Sequence, residues 1–237
     1  MTIRTLKAGV FAAGFGTRLG GPDRGPKGLT TVAGRPLVDW VLDDVLRAGA
    51  EDIVIIINKQ SAAIREHVDR RRTAPVRWIV ETTPSSMHSF VRVMEELARD
   101  GDAGPVLMST VDTVVPPGTM RSFVDRAAAF PDADVILALT PNLNDDNPFR
   151  VRIDGAGAVV ALDEGPLATA GYSLARASVL REAEAARRDG LSALRQFFVR
   201  LLARGFRFGG VRMPHSVDVD RAADIVAAEQ LIRSAVS

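Results

Sequence analysis

One stretch of the sequence, GVFAAGFGTRLGGPDRGPKGL at residues 9–29, combines closely spaced glycines with cationic side chains. Gly14 and Gly16 allow a sharp turn after an apolar run, so that successive backbone N–H groups can converge on an anion. Arg18 adds a planar guanidinium that matches phosphate geometry, and Lys27, which follows a proline, adds a compact point charge. Together these groups predict a cradle for a triphosphate.

Two familiar phosphate-binding patterns do not fit this stretch. The dinucleotide fingerprint G-x-G-x-x-G requires a third glycine where this chain has Leu19, and an acidic residue after the second strand, where Asn58 stands. The Walker pattern requires glycine before its lysine and Ser or Thr after it, whereas Lys27 lies between Pro26 and Gly28. The loop is therefore a third kind of phosphate cradle.

Apolar runs alternate with amphipathic segments along the first part of the chain, and these elements must position the loop. The predicted strands lie at 6–12, 53–57, 76–80, 106–109 and 134–139. The predicted helices lie at 36–48, 61–72, 85–99 and 119–130. Strands that alternate with helices of this length indicate crossover connections and a mostly parallel sheet.

Beyond Pro141 the pattern changes to short strand-like segments separated by turn residues. FRVRID, GAVVALD and TAGYSLA suggest a meander or an antiparallel edge. Helices are then predicted at 179–188, 192–204 and 221–234, and strands at 206–212 and 217–219. No linker or internal repeat interrupts the chain, so we expect a single domain over residues 1–237.

Composition excludes several classes of protein. Hydrophobic residues make up 46% and charged residues 25%, as in ordinary globular proteins. A net charge of +1 gives no field that would attract nucleic acid or an anionic membrane. The chain has no cysteine, no signal-peptide pattern and no apolar run long enough to span a bilayer. We therefore expect a cytoplasmic protein that binds neither nucleic acid nor membrane.

The segment AAGFGTRLGGPDRGPKGLTTVAGRPLVDWVLDDVLRAGAEDIVIIIN resembles the opening of the nucleoside-triphosphate transferase family, the sugar-phosphate and alcohol-phosphate nucleotidyltransferases. The likeness is close over about the first sixty residues and continues more loosely through VLMSTVDTVV and HSVDVDRAADIVAAEQLI. It implies a three-layer α/β/α, Rossmann-like fold with a mostly parallel sheet and a small antiparallel appendage. Residues up to about 140 would bind the nucleotide, and about 141–237 the acceptor.

The resemblance implies Mg²⁺-dependent transfer of an NMP group from CTP, UTP or GTP to a sugar phosphate or alcohol phosphate, with release of pyrophosphate. The acceptor phosphate is already anionic, so alignment and charge neutralisation suffice without a strong base. Arg18 and Lys27 would be the catalytic cations. Asp112 would be the first metal ligand and Asp218 the favoured second, with Asp220 either an auxiliary ligand or the N-cap of the last helix.

Further contacts follow from the same resemblance. The nucleotide-binding residues would be Ala12, Ala13, Gly14, Gly16, Thr17, Ser86 and Ser89. The acceptor-binding residues would be Asn58, Thr169, Gly171 and Tyr172. Two departures stand out: the glycine after Lys27 loosens the chain there, and residues 163–166, DEGP, lack the lysine that sugar-nucleotide members carry. The second departure favours a zwitterionic or alcohol phosphate acceptor and, mildly, cytidine as the base.

Other interpretations stay open at this level. A glycosyltransferase that uses a nucleotide-sugar usually carries a D-x-D motif, whereas the mid-chain segment TVDTV has one aspartate. A catalytically silent relative would bind nucleotide and regulate a partner. The arginines at 70–72 are typical of a solvated helix end, and the three histidines lack metal-ligand spacing. The apolar segment LIRSAV and the Phe197–Phe198 pair are core or the face of a homo-oligomer.

Overall fold

The computed structural model describes residues 5–14, 25–71, 75–101, 104–141 and 147–236. Its strands are β1 (Leu6–Ala12), β2 (Thr31–Val32), β3 (Arg35–Pro36), β4 (Ala50–Ile57), β5 (Val76–Val80), β6 (Val106–Thr110), β7 (Thr113–Val114), β8 (Val135–Thr140), β9 (Arg150–Ile153), β10 (Val159–Leu162), β11 (Leu167–Ala175), β12 (Phe208–Arg212) and β13 (Val217–Asp218). Its helices are α1 (Leu37–Arg47), α2 (Ala62–Arg71), α3 (Ser86–Leu97), α4 (Thr119–Ala127), α5 (Ala183–Arg188), α6 (Leu194–Ala203) and α7 (Ala222–Val236). Turns of 3-10 helix lie at Lys27–Leu29 and Ala177–Glu182.

The main sheet is mixed and mostly parallel. Its strands follow the order β10-β9-β11-β6-β1-β4-β5, and β8 lies beside β11 with β12 on its outer side. Strands β6, β1, β4 and β5 are mutually parallel, as are β8 and β12. Strand β11 runs antiparallel to both β6 and β8, so that the segment predicted as a possible edge lies inside the sheet. The small antiparallel appendage is the β9–β10 pair.

Strand β4 explains why helices cover both faces of the sheet. Ile53, Ile55 and Ile57 pack into the core on the face of α1, α2 and α4. Val54 and Ile56 pack into the core on the opposite face, with α3 and α6. Because successive side chains of a strand point to opposite faces, a continuous apolar run is stable only when both faces are covered. The predicted three-layer α/β/α fold is therefore confirmed.

A third, smaller apolar cluster secures the C-terminal helix. Ala228 and Ile232 of α7 pack with Val219, Val114 and Val32. The contact ties α7 to the short β7–β13 and β2–β3 pairs, and β7 follows directly after β6 in the chain. In the part of the chain that the structure describes, none of the helices is both long enough and apolar enough for a membrane crossing.

Candidate active site

A pocket of about 530 Å³ opens where β1 and β6 end. Parallel strands commonly bind ligands at this edge, because the loops that leave their carboxyl ends converge there. The residues that line it come from six separate segments of the chain: Phe11, Ala13, Gly14, Lys27, Thr83, Pro84, Ser85, Ser86, Ser89, Thr110, Val111, Asp112, Leu194 and Asp220. Three of the predicted loop residues, Gly16, Thr17 and Arg18, lie outside the described residues.

Asn58 forms a hydrogen bond with the backbone just after β1, next to the pocket. Its side chain is buried, and its Nδ2 donates a hydrogen bond of 2.9 Å to the carbonyl oxygen of Ala13. Its Oδ1 accepts hydrogen bonds from the Gln60 N–H and the Ser61 hydroxyl, both at 2.9 Å. These bonds fix the chain after β1 where it reaches the pocket. The structure thus gives Asn58 a supporting position, whereas the sequence predicted an acceptor contact.

The lysine segment is held firmly. Residues Lys27–Leu29 form a turn of 3-10 helix in which the Leu29 N–H bonds to the Pro26 carbonyl at 2.9 Å. Gly28 is buried, and a Cβ atom at this position would lie 2.9 Å from Ile64 Cδ1 and 3.3 Å from Val111 Cγ2. A side chain at this position would therefore require Ile64 to shift, and Gly28 lies in a hydrogen-bonded turn where the sequence predicted a looser chain.

Lys27 brings two of the predicted metal ligands together. Its Nζ forms close ion pairs with Asp112 Oδ2 and with Asp220 Oδ1. The lysine side chain is 9% exposed, against 22% for Asp112 and 37% for Asp220. Burial alone lowers the pKa of Lys27, but the charges and hydrogen bonds of the two aspartates outweigh it and hold the pKa above its ordinary value. The ammonium group therefore stays charged between two carboxylates.

Asp218 has a different set of contacts. It pairs with Thr113 across the β7–β13 ladder, and Thr113 Oγ1 donates to its Oδ1 at 2.7 Å. Asp218 is exposed as a residue, but desolvation of its carboxyl group by the surrounding protein atoms, and then repulsion by Asp112, raise its pKa to about 7. Asp218 is not among the residues that line the pocket.

Asp220 lines the pocket from a position just before α7, where Asp224 receives the backbone N–H groups. Asp224 Oδ2 accepts hydrogen bonds from the N–H groups of Asp220 at 2.9 Å and Arg221 at 2.7 Å. Strand β13 ends at Asp218, and the Val219 N–H bonds to the Asp112 carbonyl at 3.0 Å. The chain therefore leaves the strand and carries the Asp220 carboxylate to Lys27.

The chemistry of this side-chain set fits a magnesium ion. Mg²⁺ takes oxygen ligands and is usually held by one or two carboxylates together with substrate phosphates. Asp112 and Asp220 already share one cationic partner, the Lys27 ammonium, so both carboxylates reach a single point of positive charge. Within the described ranges no group of three or more His, Cys, Asp or Glu side chains forms a metal site by itself. Completing the coordination thus requires oxygen atoms from substrate or water.

The opposite side of the pocket carries hydroxyl groups at the start of α3. Thr83 Oγ1 and Ser89 Oγ lie 2.5 Å apart, and Ser86 Oγ accepts a hydrogen bond of 3.0 Å from the Leu194 N–H. That bond joins the first turns of α3 and α6. Of the residues predicted to bind the nucleotide, Ser86, Ser89, Ala13 and Gly14 line the pocket, whereas Ala12 is buried within β1.

The predicted acceptor residues are not gathered in the pocket. Tyr172 is 3% exposed and packs edge-on against Phe123, with ring centroids 5.1 Å apart. Its hydroxyl is buried and has no hydrogen-bond partner among the described residues, and burial raises its pKa. Thr169 is partly buried, and its N–H bonds to the Phe149 carbonyl. Gly171 alone adjoins the carboxylates, because a Cβ atom there would lie 3.1 Å from Asp218 Oδ1.

Seven residues that line the pocket were not predicted as site residues: Phe11, Thr83, Pro84, Ser85, Thr110, Val111 and Leu194. Thr110 could have been predicted from the sequence, because it lies at the end of a strand, two residues before Asp112. In the structure its hydroxyl lies 2.7 Å from that of Thr113. Leu194 could not have been predicted in this way, because only the packing of α6 beside α3 brings it to the pocket.

The chain was compared with known families and proteins. A family model described as "MobA-like NTP transferase domain" matches residues 8–203. A CMP-5'-(3-aminopropyl)phosphonate synthase of Streptomyces rubellomurinus is 30% identical over 85% of this chain and 32% of its own length. A 3-deoxy-manno-octulosonate cytidylyltransferase of Vibrio vulnificus is 27% identical over 73% of this chain and 69% of its own length. The chain thus spans about a third of the length of the first of these relatives.

A solved structure with the same fold is the inositol-1-phosphate CTP transferase from T. maritima. It superposes with a TM-score of 0.76 and 16% sequence identity, over 97% of this chain and 96% of that one. At that identity the likeness bears on the fold alone. Together with the family match, it confirms the family resemblance and the fold predicted from the opening loop.

Proposed function

The chain belongs to the MobA-like NTP transferase domain family, and we propose that it moves an NMP group from an NTP to a small phosphorylated acceptor, releasing pyrophosphate. The observation that carries the proposal is the cluster formed by Lys27, Asp112 and Asp220 at the edge of a pocket at the ends of β1 and β6. The cluster supplies a cation and a carboxylate pair next to a space of about 530 Å³.

The residues of the cluster account for the reaction without a general base. An oxygen of the acceptor phosphate attacks the α-phosphorus of the NTP, and the bond from that phosphorus to the bridging oxygen of pyrophosphate breaks. Lys27 neutralises charge that accumulates on the phosphate oxygens as this bond breaks. Asp112 and Asp220 would hold Mg²⁺, which acts as a Lewis acid on the phosphate oxygens when bound. We thus assign the second ligand to Asp220 in preference to Asp218.

The base and the acceptor follow from two independent arguments. Both sequence relatives described above are named for the transfer of CMP or a cytidylyl group, which favours CTP. Residues 163–166 contain no lysine, and the guanidinium of Arg195, which reaches this segment, is already paired with Asp163. The segment therefore offers no free cation to a sugar phosphate. We therefore propose an acceptor that carries a phosphate or phosphonate together with an amino or hydroxyl group.

The test measures substrate binding and turnover separately. Thermal unfolding is followed with ATP, CTP, GTP, UTP and NAD, each with and without Mg²⁺. A ligand at a hundred times its Kd stabilises the folded state by about 2.7 kcal/mol, which is several degrees in Tm for a chain of this size. Pyrophosphate release and the mass of the product are then measured with 3-aminopropylphosphonate, phosphocholine, inositol 1-phosphate and glucose 1-phosphate.

We expect stabilisation by CTP with Mg²⁺ and none by NAD, and pyrophosphate release with at least one acceptor. Asp112→Asn should abolish pyrophosphate release and keep the fold. Lys59→Met, which removes an exposed lysine outside the pocket lining, should leave pyrophosphate release unchanged. Nucleotide binding without pyrophosphate release from any acceptor would favour a catalytically silent regulator. Stabilisation by none of the nucleotides would refute the proposal.

The use of an NTP also leads us to propose a cytoplasmic location, and a homo-oligomer stays a prediction.

A further inference from the structure

Lys27 stands where the cation of the reaction is expected to bind. Its ammonium group contacts Asp112 Oδ2 and Asp220 Oδ1 together. These are the two carboxylates that the proposed function assigns to Mg²⁺. An ammonium ion and a divalent cation repel each other, and Mg²⁺ binds its ligands at about 2.0–2.1 Å. The two cations therefore cannot occupy the space between the same carboxylates at once.

The backbone of Lys27 is fixed while its side chain has room to move. Gly28 packs against Ile64 and Val111, and the Thr30 N–H bonds to the Lys27 carbonyl at 3.0 Å. The lysine side chain has a flexible four-carbon stem and lines the pocket. Its ammonium group can thus exchange one partner for another by rotation about side-chain bonds, without a change in the turn that carries it.

A nucleoside triphosphate in the pocket would supply the alternative partner. Its phosphates carry negative charge close to Lys27, and they also offer the oxygen ligands that Asp112 and Asp220 alone do not provide for Mg²⁺. Drawing the ammonium group toward the phosphates removes Lys27 from its contacts with the two carboxylates. The same event therefore removes the competitor and completes the ligand set.

We propose that Lys27 and a divalent cation alternate at the Asp112–Asp220 pair, so that the metal enters with the nucleotide and not before it. The inference rests on the proposed function, because it takes these aspartates as the metal ligands. It adds to Lys27 a role in the free protein: the ammonium group lies between the two carboxylates and excludes the metal until nucleotide arrives.

The decisive experiment measures Mn²⁺ binding to the nucleotide-free protein by electron paramagnetic resonance and titration calorimetry. Lys27→Met removes the competing charge, and Lys27→Arg retains it. Lys59→Met is the matched control, because it removes the same charge from an exposed lysine outside the pocket lining. Circular dichroism and urea unfolding establish that each variant is folded.

We expect Mn²⁺ to bind Lys27→Met at least tenfold more tightly than it binds the wild type, Lys27→Arg or Lys59→Met. Adding Asp220→Asn to Lys27→Met should remove the gain. Equal Mn²⁺ affinity of Lys27→Met and wild type would overturn the proposal, and so would tight binding of Mn²⁺ to the nucleotide-free wild type.

A second titration separates failure of this inference from failure of the proposed function. Mn²⁺ binding is measured in the presence of the α,β-methylene analogue of the nucleotide that stabilises the protein most. If Asp112→Asn weakens this binding but Lys27→Met has no effect without nucleotide, the exchange is wrong and the metal assignment stands. If Asp112→Asn has no effect in the nucleotide complex, the metal assignment fails and the exchange fails with it.

Discussion

Gly171 is the position at which a single methyl group should damage both stability and the site. It lies in β11 with φ of +79°, a left-handed conformation that favours glycine. A Cβ atom there would lie 1.9 Å from Thr113 Oγ1 and 3.1 Å from Asp218 Oδ1. Thr113 is the residue that donates to Asp218, so the added methyl group must displace the contact that joins β7 to β13.

The expected cost of Gly171→Ala has two parts. The left-handed backbone conformation costs about 1–2 kcal/mol for a residue with a Cβ atom. Forcing a methyl group into a closely packed site adds about 1–3 kcal/mol. The free energy of unfolding should therefore fall by about 2–5 kcal/mol, with Tm lowered by about 2–4 °C for each kcal/mol in a chain of this length.

Gly190→Ala is the matched control. Gly190 has φ of +73° but no atom within 4 Å of the Cβ position, so this variant carries the conformational cost without the clash. Urea unfolding of both variants, followed by circular dichroism, isolates the clash as the difference in unfolding free energy. We expect that difference to be about 1–3 kcal/mol in the direction of a less stable Gly171→Ala.

A double-mutant cycle then tests the atom responsible. Thr113→Ala removes Oγ1, so Gly171→Ala should cost less in that background than in the wild type. Equal unfolding free energies of Gly171→Ala and Gly190→Ala would refute the reasoning, as would a Gly171→Ala cost that Thr113→Ala does not reduce. In either case the close approach of β11 to the β7–β13 pair would not be the reason for glycine.

Three further substitutions test the role of individual polar side chains in the stability of the fold. Tyr172→Phe removes a buried hydroxyl that has no hydrogen-bond partner in the part of the chain that the structure describes. The unfolding free energy should therefore stay within about 1 kcal/mol of wild type or rise, and a larger loss in urea unfolding would reveal a partner of the hydroxyl. Asp44→Ala deprives the N–H groups of Gly118 and Met120 of their acceptor and should cost about 2 kcal/mol in the same assay; no loss would mean that α4 finds another cap. Asp218 has a folded-state pKa of about 7 against 3.8 for its ordinary value, so its protonated form stabilises the fold at low pH and this contribution is lost as pH rises from about 4 through 7. Asp218→Asn, compared with wild type in EDTA, should therefore gain in relative stability across that window, and parallel pH profiles would contradict the assignment.

The order of the elements and the location of the site could be predicted from local sequence patterns. The continuous β-branched run in β4 required cover on both faces, and its residues divide between the two cores as that argument demands. Lys27 and Asp112 could be placed at one edge because each follows a predicted parallel strand, and the two side chains form an ion pair there.

Contacts between distant segments decided the rest. Strand alternation put Asp218 and Asp220 on one face, but β13 ends at Asp218 and the following turn sends Asp220 alone to Lys27. The register of β11 against β8 shifts between Thr169 and Ser173, so the spacing along this segment could not show that Tyr172 turns into the core.

The physical reason for this division is the range of the interactions. Hydrophobic periodicity and turn chemistry act over a few residues, so the sequence by itself determined the alternation of strands and helices. Where a strand ends, which residue a bulge turns inward and which helix closes a pocket depend on segments far apart in the chain. Leu194 reaches the pocket only because its N–H bonds to Ser86 across two helix starts, an arrangement that the tertiary structure alone decided.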